Sequence, residues 1–304
     1  MDDILQVTLL GRFEATWNGQ PVAGFEHAKA RELFSYLLLH REKPNSRELI
    51  ASSLWGGHYT TEVSKKYLRK ALWQLNECLA GCSEEIRNDL IVADANWLEL
   101  KMIDPLWLDV AFVDNAYAAV KGLPGFRINK ETADVISNVV DLYRGDLLEG
   151  EYQEWSFYDN VRYRQAVLIL LDKLMDYSLA HGEYESTLQY GERVLRCDPA
   201  REFTHLKLMR AYYELGDRTG AIHQFNRCRQ VLHDELDVNP SHEAVKLFEL
   251  IRNDEASEMS LIPGGGARDG EGRGGSGSGL ELVVGGSNLT SEQEQQLQRL
   301  IAGA

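Results

Sequence analysis

Lys65, Lys66, Arg69 and Lys70 put four cations into six residues, and theirs is the spacing in this sequence that could do chemistry. At 100° per residue, Lys66, Arg69, Lys70 and Trp73 share one face of a helix over Thr60–Leu79, with Lys65 at its border. Leu68, Ala71, Leu72, Leu75 and Leu79 share another face and need a core to cover them. A guanidinium can meet a guanine edge or a phosphate with two parallel hydrogen bonds, and an ammonium can meet a phosphate as a point charge. The chemistry on offer is polyanion recognition. The alternative is an ordinary solvated charged face.

The remaining reactive side chains are not arranged for catalysis. The eight histidines (His27, His40, His58, His181, His205, His223, His233 and His242) are scattered. No pair has His-Glu-x-x-His spacing, and none stands beside a Ser or Cys nucleophile in a recognisable turn. Cys78 and Cys82 lie one helical turn apart, yet no Cys/His pair at ligand spacing completes a metal site. With Cys197 and Cys228 they read as reduced, structural thiols. The expectation is a protein that is not an enzyme and has no evident cofactor or metal.

The 304 residues suggest two domains, and a 44% hydrophobic content allows sizeable cores. No apolar run approaches the ~18 residues of a membrane span, and the acidic start MDDILQVTLLG is no secretory signal. A cytoplasmic chain with no membrane partner is expected. The net charge of −15 argues against non-specific nucleic-acid binding by the chain as a whole. Between Glu26 and Ala80, however, nine cations face six anions, so positive charge is local.

The surrounding elements are legible from pattern. Residues 5–17 are rich in β-branched and aromatic residues, and Asn18-Gly19 signals a tight hairpin. Helical spacing follows over Ala28–His40. A short helix, Arg47–Trp55, is capped by Ser46 and closed by Gly56-Gly57, and Thr60 or Thr61 caps the basic helix. Strands over Leu90–Ala93 and Trp97–Lys101 flank the turn Asp94-Ala95-Asn96. Sheet, three helices and a hairpin in this order make a winged helix-turn-helix whose third helix would enter the DNA major groove. The stretches LLGRFEATWNGQPV, KARELFSYLLLHREKPNSRELIASSLW and LRKALWQL resemble the OmpR-type winged helix of the Streptomyces antibiotic regulatory proteins and their wider family. Leu68-Arg69 matches the start of that family's third helix. Asn76-Glu77 departs from its usually basic end, and the wing tip Asp94-Ala95-Asn96 is not basic either. Further on, YRGDLLEG followed by EWSFYDNVRYRQ resembles the entry to the bacterial transcriptional activator domain, the usual partner of that winged helix. The resemblance spans roughly residues 5–252.

The second half also reads without the family. Residues 167–200 and 201–234 form two 34-residue units aligned on Gly182 and Gly216. Tyr212, Ala221 and Phe225 fit the tetratricopeptide pattern, while Ser178 and Gly191 replace the two aromatics in the first unit. A partial third unit follows, with a helix start at Asn239-Pro240-Ser241. Such helix pairs stack because none can bury its apolar face alone, and they leave a concave surface suited to peptides or proteins. Pro263–Gly279 reads as a flexible linker, since no Gly-Lys-Ser/Thr and no helix follow as a phosphate loop requires. Beyond it, Leu280–Val284 and a stripe of Leu297, Leu300 and Ile301 behind a Ser291/Glu294 capping box read as a marginal tail or a non-native addition. A strand and helix that dock are the alternative.

The expected fold is mainly α with a small β component. An N-terminal winged helix over 1–104 is followed by a tetratricopeptide-like α-helical array over 105–255, a Gly-rich linker over 256–279 and a tail over 280–304. Ser64, Lys65, Arg69 and Trp73 are expected to face bases or sugar edges, and Lys66, Lys70, Arg47 and Lys43 to hold phosphates. The resemblance implies an activator of transcription that binds promoter repeats of double-stranded DNA as a homodimer and contacts RNA polymerase. Two other readings stay open: a protein-interaction adaptor in which the array does the work, and a regulator gated by a small molecule or nucleotide at the helical domain.

Overall fold

The computed structural model describes residues 3–57, 59–151 and 153–254, so the readings for 256–279 and 280–304 lie outside the described residues. It is mainly helical with two small sheets. Strands β1 (Leu5–Thr8), β2 (Glu14–Trp17) and β3 (Gln20–Pro21) open the chain as an antiparallel meander. Asn18 and Gly19 carry φ of 50° and 77°, the positive values that a two-residue hairpin of matching twist requires. Helix α1 (Ala28–Leu39) buries Leu33, Phe34, Leu37 and Leu38. Next come β4 (Asn45–Ser46), α2 (Arg47–Trp55) and α3 (Thr61–Leu79). A short α4 (Glu84–Asp89), which the pattern did not announce, leads into β5 (Ile91–Ala93) and β6 (Trp97–Leu100). These two strands and β4 make the three-stranded wing sheet, in the order β4-β6-β5. The structure thus has the winged helix that the order of elements predicts.

The chain then returns to its start. Strand β7 (Leu106–Leu108) pairs parallel with β1, Leu5 opposite Leu106, and α5 (Asp109–Val120) begins at once. Asp109 is completely buried. Its Oδ2 accepts the backbone N–H groups of Leu9 and Leu10 at 2.8 Å each, and its Oδ1 accepts that of Val110 at 2.7 Å. The YRGDLLEG segment folds back onto the same strand end. Leu148 N donates to Leu9 O at 2.8 Å, and Glu149 N to Gly11 O at 2.7 Å.

The chain accordingly falls into two compact units that interleave in sequence. One takes Met1–Asn115 with Asp141–Val167, the other Ala116–Val140 with the chain from Leu168 onward. A single boundary at 104/105 does not describe this division. The reason is that residues 106–108 pair with the first strand and residues 146–149 bond to residues 9–11 just beyond it, contacts over about 100 and about 140 residues that local pattern cannot carry.

The second unit holds α6 (Lys130–Asp141), the C-terminal part of α7 (Phe157–Ala180), then α8 (Tyr184–Cys197), α9 (Glu202–Glu214), α10 (Arg218–Leu236) and α11 (His242–Asn253). Gly182 and Gly216, the residues on which the two repeats align, close α7 and α9 in the left-handed region at φ of 74° and 78°. Asp217 Oδ1 accepts Gly220 N at the start of α10, and Ser241 Oγ accepts Ala244 N at the start of α11. Ala221 and Phe225 are buried with Leu206, Met209, Leu247 and Ile251. Gly191, in an aromatic's place, lets Leu208 and Met175 approach; a Cβ there would stand 2.4 Å from Leu208 Cδ2. Among the described residues all four cysteines are free, and Cys78 and Cys228 are buried. No helix among them is long and apolar enough to cross a membrane.

Candidate nucleic-acid interface

Helix α3 is amphipathic, and its packing sorts the residues named from the sequence. Leu68, Ala71, Leu75 and Leu79 are buried, while Lys66, Arg69, Lys70 and Trp73 lie on the exposed side. Among the described residues, Lys66, Arg69 and Lys70 have neither an ion-pair nor a hydrogen-bond partner in the protein. Trp73 is 61% exposed.

Ser64 corrects the sequence reading. It is 2% exposed and cannot reach a base edge. The signal was in the sequence: Ser64, Leu68, Ala71 and Leu75 follow the i, i+4, i+7, i+11 spacing of one helical face, so Ser64 starts the apolar stripe.

The N-terminal half of α3 is fastened by aromatics. Tyr67 meets Trp55 edge-on at 6.2 Å and Tyr59 at 4.8 Å between ring centroids. The Lys29 ammonium, carried by α1, sits 3.9 Å over the Tyr67 ring, a cation–π contact that spends this cation inside the protein. Trp55 Nε1 donates to Glu32 Oε2 at 2.9 Å.

Lys65 and Arg47 line an open cleft of about 630 Å³ with Ser46, Glu48, Leu68, Arg69, Ala95, Asn96 and Trp97. The start of α2, the N-terminal half of α3 and the wing turn therefore converge there. Arg47 is half-buried, and its Nη1 donates to the carbonyl of Asp94 in the wing turn at 3.0 Å. Lys65 Nζ lies 2.8 Å from Glu48 Oε1. This hydrogen-bonded ion pair holds the Glu48 carboxyl below its ordinary range and the Lys65 ammonium above its own. Asp94 spends its charge on its own turn, accepting Asn96 N and Trp97 N, which hold its carboxyl low as well. Lys43 is exposed before β4 and is not part of the cleft. Glu48 and Trp97, the latter 48% exposed, are the cleft residues that sequence reasoning missed. Lys65 and Glu48 are 17 positions apart on separate helices, and no local spacing links them.

Residues 108–252 match the family model of the bacterial transcriptional activator domain. Over 236 residues the chain is 22% identical to the regulatory protein AfsR of Streptomyces coelicolor, a match covering 78% of this chain. The chain is thus similar, over these residues, to bacterial transcriptional activator domains, in keeping with its resemblance to the Streptomyces antibiotic regulatory proteins. The match covers 23% of AfsR, so the chain spans about a quarter of the length of that relative. Among solved structures, EmbR of Mycobacterium tuberculosis, in complex with a low-affinity phosphopeptide, superposes with a TM-score of 0.62. The two are 21% identical, and the superposition covers 84% of this chain and 66% of EmbR. At that identity the likeness concerns the fold: a mainly helical chain whose small N-terminal sheets precede a helical array.

Proposed function

We propose that this regulator binds double-stranded DNA sequence-specifically through α3 and activates transcription from the promoters it occupies. The observation that carries this reading is the exposed face of α3. Its Lys66, Arg69 and Lys70 have no partner among the described residues, and a helix-turn-helix core and a wing support them in a chain that is acidic overall. Arg69 is the candidate for bidentate readout of guanine, while Lys66 and Lys70 neutralise phosphates. Binding as a homodimer on repeats, contact with RNA polymerase and a cytoplasmic location complete the proposal, on the family's pattern.

The test is electrophoretic mobility of the promoter of the protein's own gene. Arg69→Ala is expected to cost about 1–3 kcal/mol at the cognate site, roughly a 5- to 150-fold loss, and to relax preference at one base position. Absence of sequence-selective binding by the folded wild type at low salt overturns the reading. In its place stands the adaptor, in which the helical array alone does the work.

Lys66→Ala and Lys70→Ala should behave differently from Arg69→Ala. Each is expected to weaken binding to all sequences alike, and to flatten the plot of log affinity against log salt by about 0.9. A loss confined to the cognate site would assign those lysines to base reading.

A further inference from the structure

Of the cations that line the cleft, two are already engaged by the protein itself. Arg47 is held by the Asp94 carbonyl, and Lys65 is paired with Glu48, whereas Arg69 has no protein partner among the described residues. Glu48 brings a full negative charge into a cleft whose proposed ligand is a polyanion. Its side chain is 77% exposed and that of Lys65 38%, so the pair is formed at the surface and not locked in a core. Exposed pairs contribute little to stability, which leaves this one free to serve binding. The mutual hydrogen bond keeps both groups charged, as their shifts in opposite directions show.

We propose that Glu48 is a specificity-determining residue: by holding Lys65 in an ion pair it withholds one cation from the phosphate backbone and keeps non-specific DNA weakly bound. The proposal rests on the DNA-binding reading above. Non-specific affinity comes from phosphate neutralisation, so each cation withheld removes one contact from every sequence alike. The carboxylate also repels any phosphate brought near the cleft. A cognate site replaces what is lost through base contacts of Arg69, and a random site has no such replacement. Selectivity is a difference between two affinities, and a repulsive group acting on the wrong partner raises it as effectively as an attractive one acting on the right partner.

The experiment measures affinity of the full chain for a random-sequence duplex and for the promoter of its own gene, between about 50 and 200 mM salt. Glu48→Gln keeps the side chain's shape and removes its charge. It is expected to steepen the random-duplex salt dependence by about 0.9 in log–log slope, so that raising the salt over that range costs about 3.5-fold more affinity than in wild type. The ratio of promoter to random affinity should fall. Lys65→Ala should change the slope little in wild type and should cancel the gain in the Glu48→Gln background. An unchanged slope in Glu48→Gln, with the wild type binding DNA, overturns the filter and leaves the DNA reading standing. Loss of promoter affinity alone also overturns it and makes Glu48 a direct base reader. If neither wild type nor variant binds any duplex at the lowest salt, the DNA reading falls and the filter with it.

Discussion

Asp109→Ala is expected to lower the unfolding free energy of the protein by about 3–5 kcal/mol, read from urea unfolding of the full chain. The carboxylate is fully buried and accepts three backbone N–H groups. Two of these, from Leu9 and Leu10, lie where β1 ends. Each buried donor left without an acceptor costs about 1–3 kcal/mol, and alanine supplies no acceptor. Asp109→Asn should cost less, because its amide oxygen can still serve Leu9 and Leu10 while its NH₂ group opposes Val110 N. The pair of variants also gives a pH test. Burial pushes Asp109 up to about 6, against the opposing pull of its backbone donors. With the folded value above the ordinary value of 3.8, the folded state holds the proton more tightly. The group's contribution to stability is therefore fully present below about pH 4 and is lost as pH rises through about 6. Asparagine does not titrate. The stability advantage of wild type over Asp109→Asn should widen as pH falls from about 7 to about 5. A constant gap would show that Asp109 does not take up a proton in that range.

Lys207→Ala should cost about 2–3 kcal/mol, from the lost packing of its buried stem and the lost charge-assisted hydrogen bond to Asp176. Only 3% of the Lys207 side chain is exposed. Its ammonium lies 2.6 Å from Asp176 Oδ1, 3.6 Å from Asp172 Oδ1 and 4.8 Å from the Phe203 ring. Removing it leaves two neighbouring carboxylates, of which Asp172 keeps Arg201 and Asp176 loses its ammonium partner. Lys207→Met retains the buried stem and separates packing from charge. If methionine restores wild-type stability, the loss in alanine is a cavity effect and the ion pair adds nothing net.

Much of the architecture was open to inspection in the one-dimensional pattern. Asn18-Gly19 announced the first hairpin, helical spacing announced α1 to α3, and the alignment of Gly182 with Gly216 announced two repeats, which the structure closes with left-handed turns at those glycines. The same periodicity would have placed Ser64 in the core had its phase with Leu68 and Leu75 outweighed its place near the helix start. The candidate site was half legible. The exposed cations of α3 follow from 100° per residue, but which of them are already occupied does not. Lys29 over Tyr67, Arg47 on the Asp94 carbonyl and Lys65 on Glu48 all join separate elements.

Local repetition is encoded every few residues, because a helix or hairpin satisfies its backbone with near neighbours; that much this sequence determined by itself. It determined the winged helix, the helical repeats and the basic face of the Thr60–Leu79 helix. Only the tertiary structure decided that β7 completes the first sheet, that residues 146–149 bond to residues 9–11 beyond the end of β1, that Asp109 seals that end, and that Glu48 neutralises Lys65. Those decisions depend on groups 17 to about 140 positions apart meeting once apolar faces are buried, and neither propensity nor period carries that information.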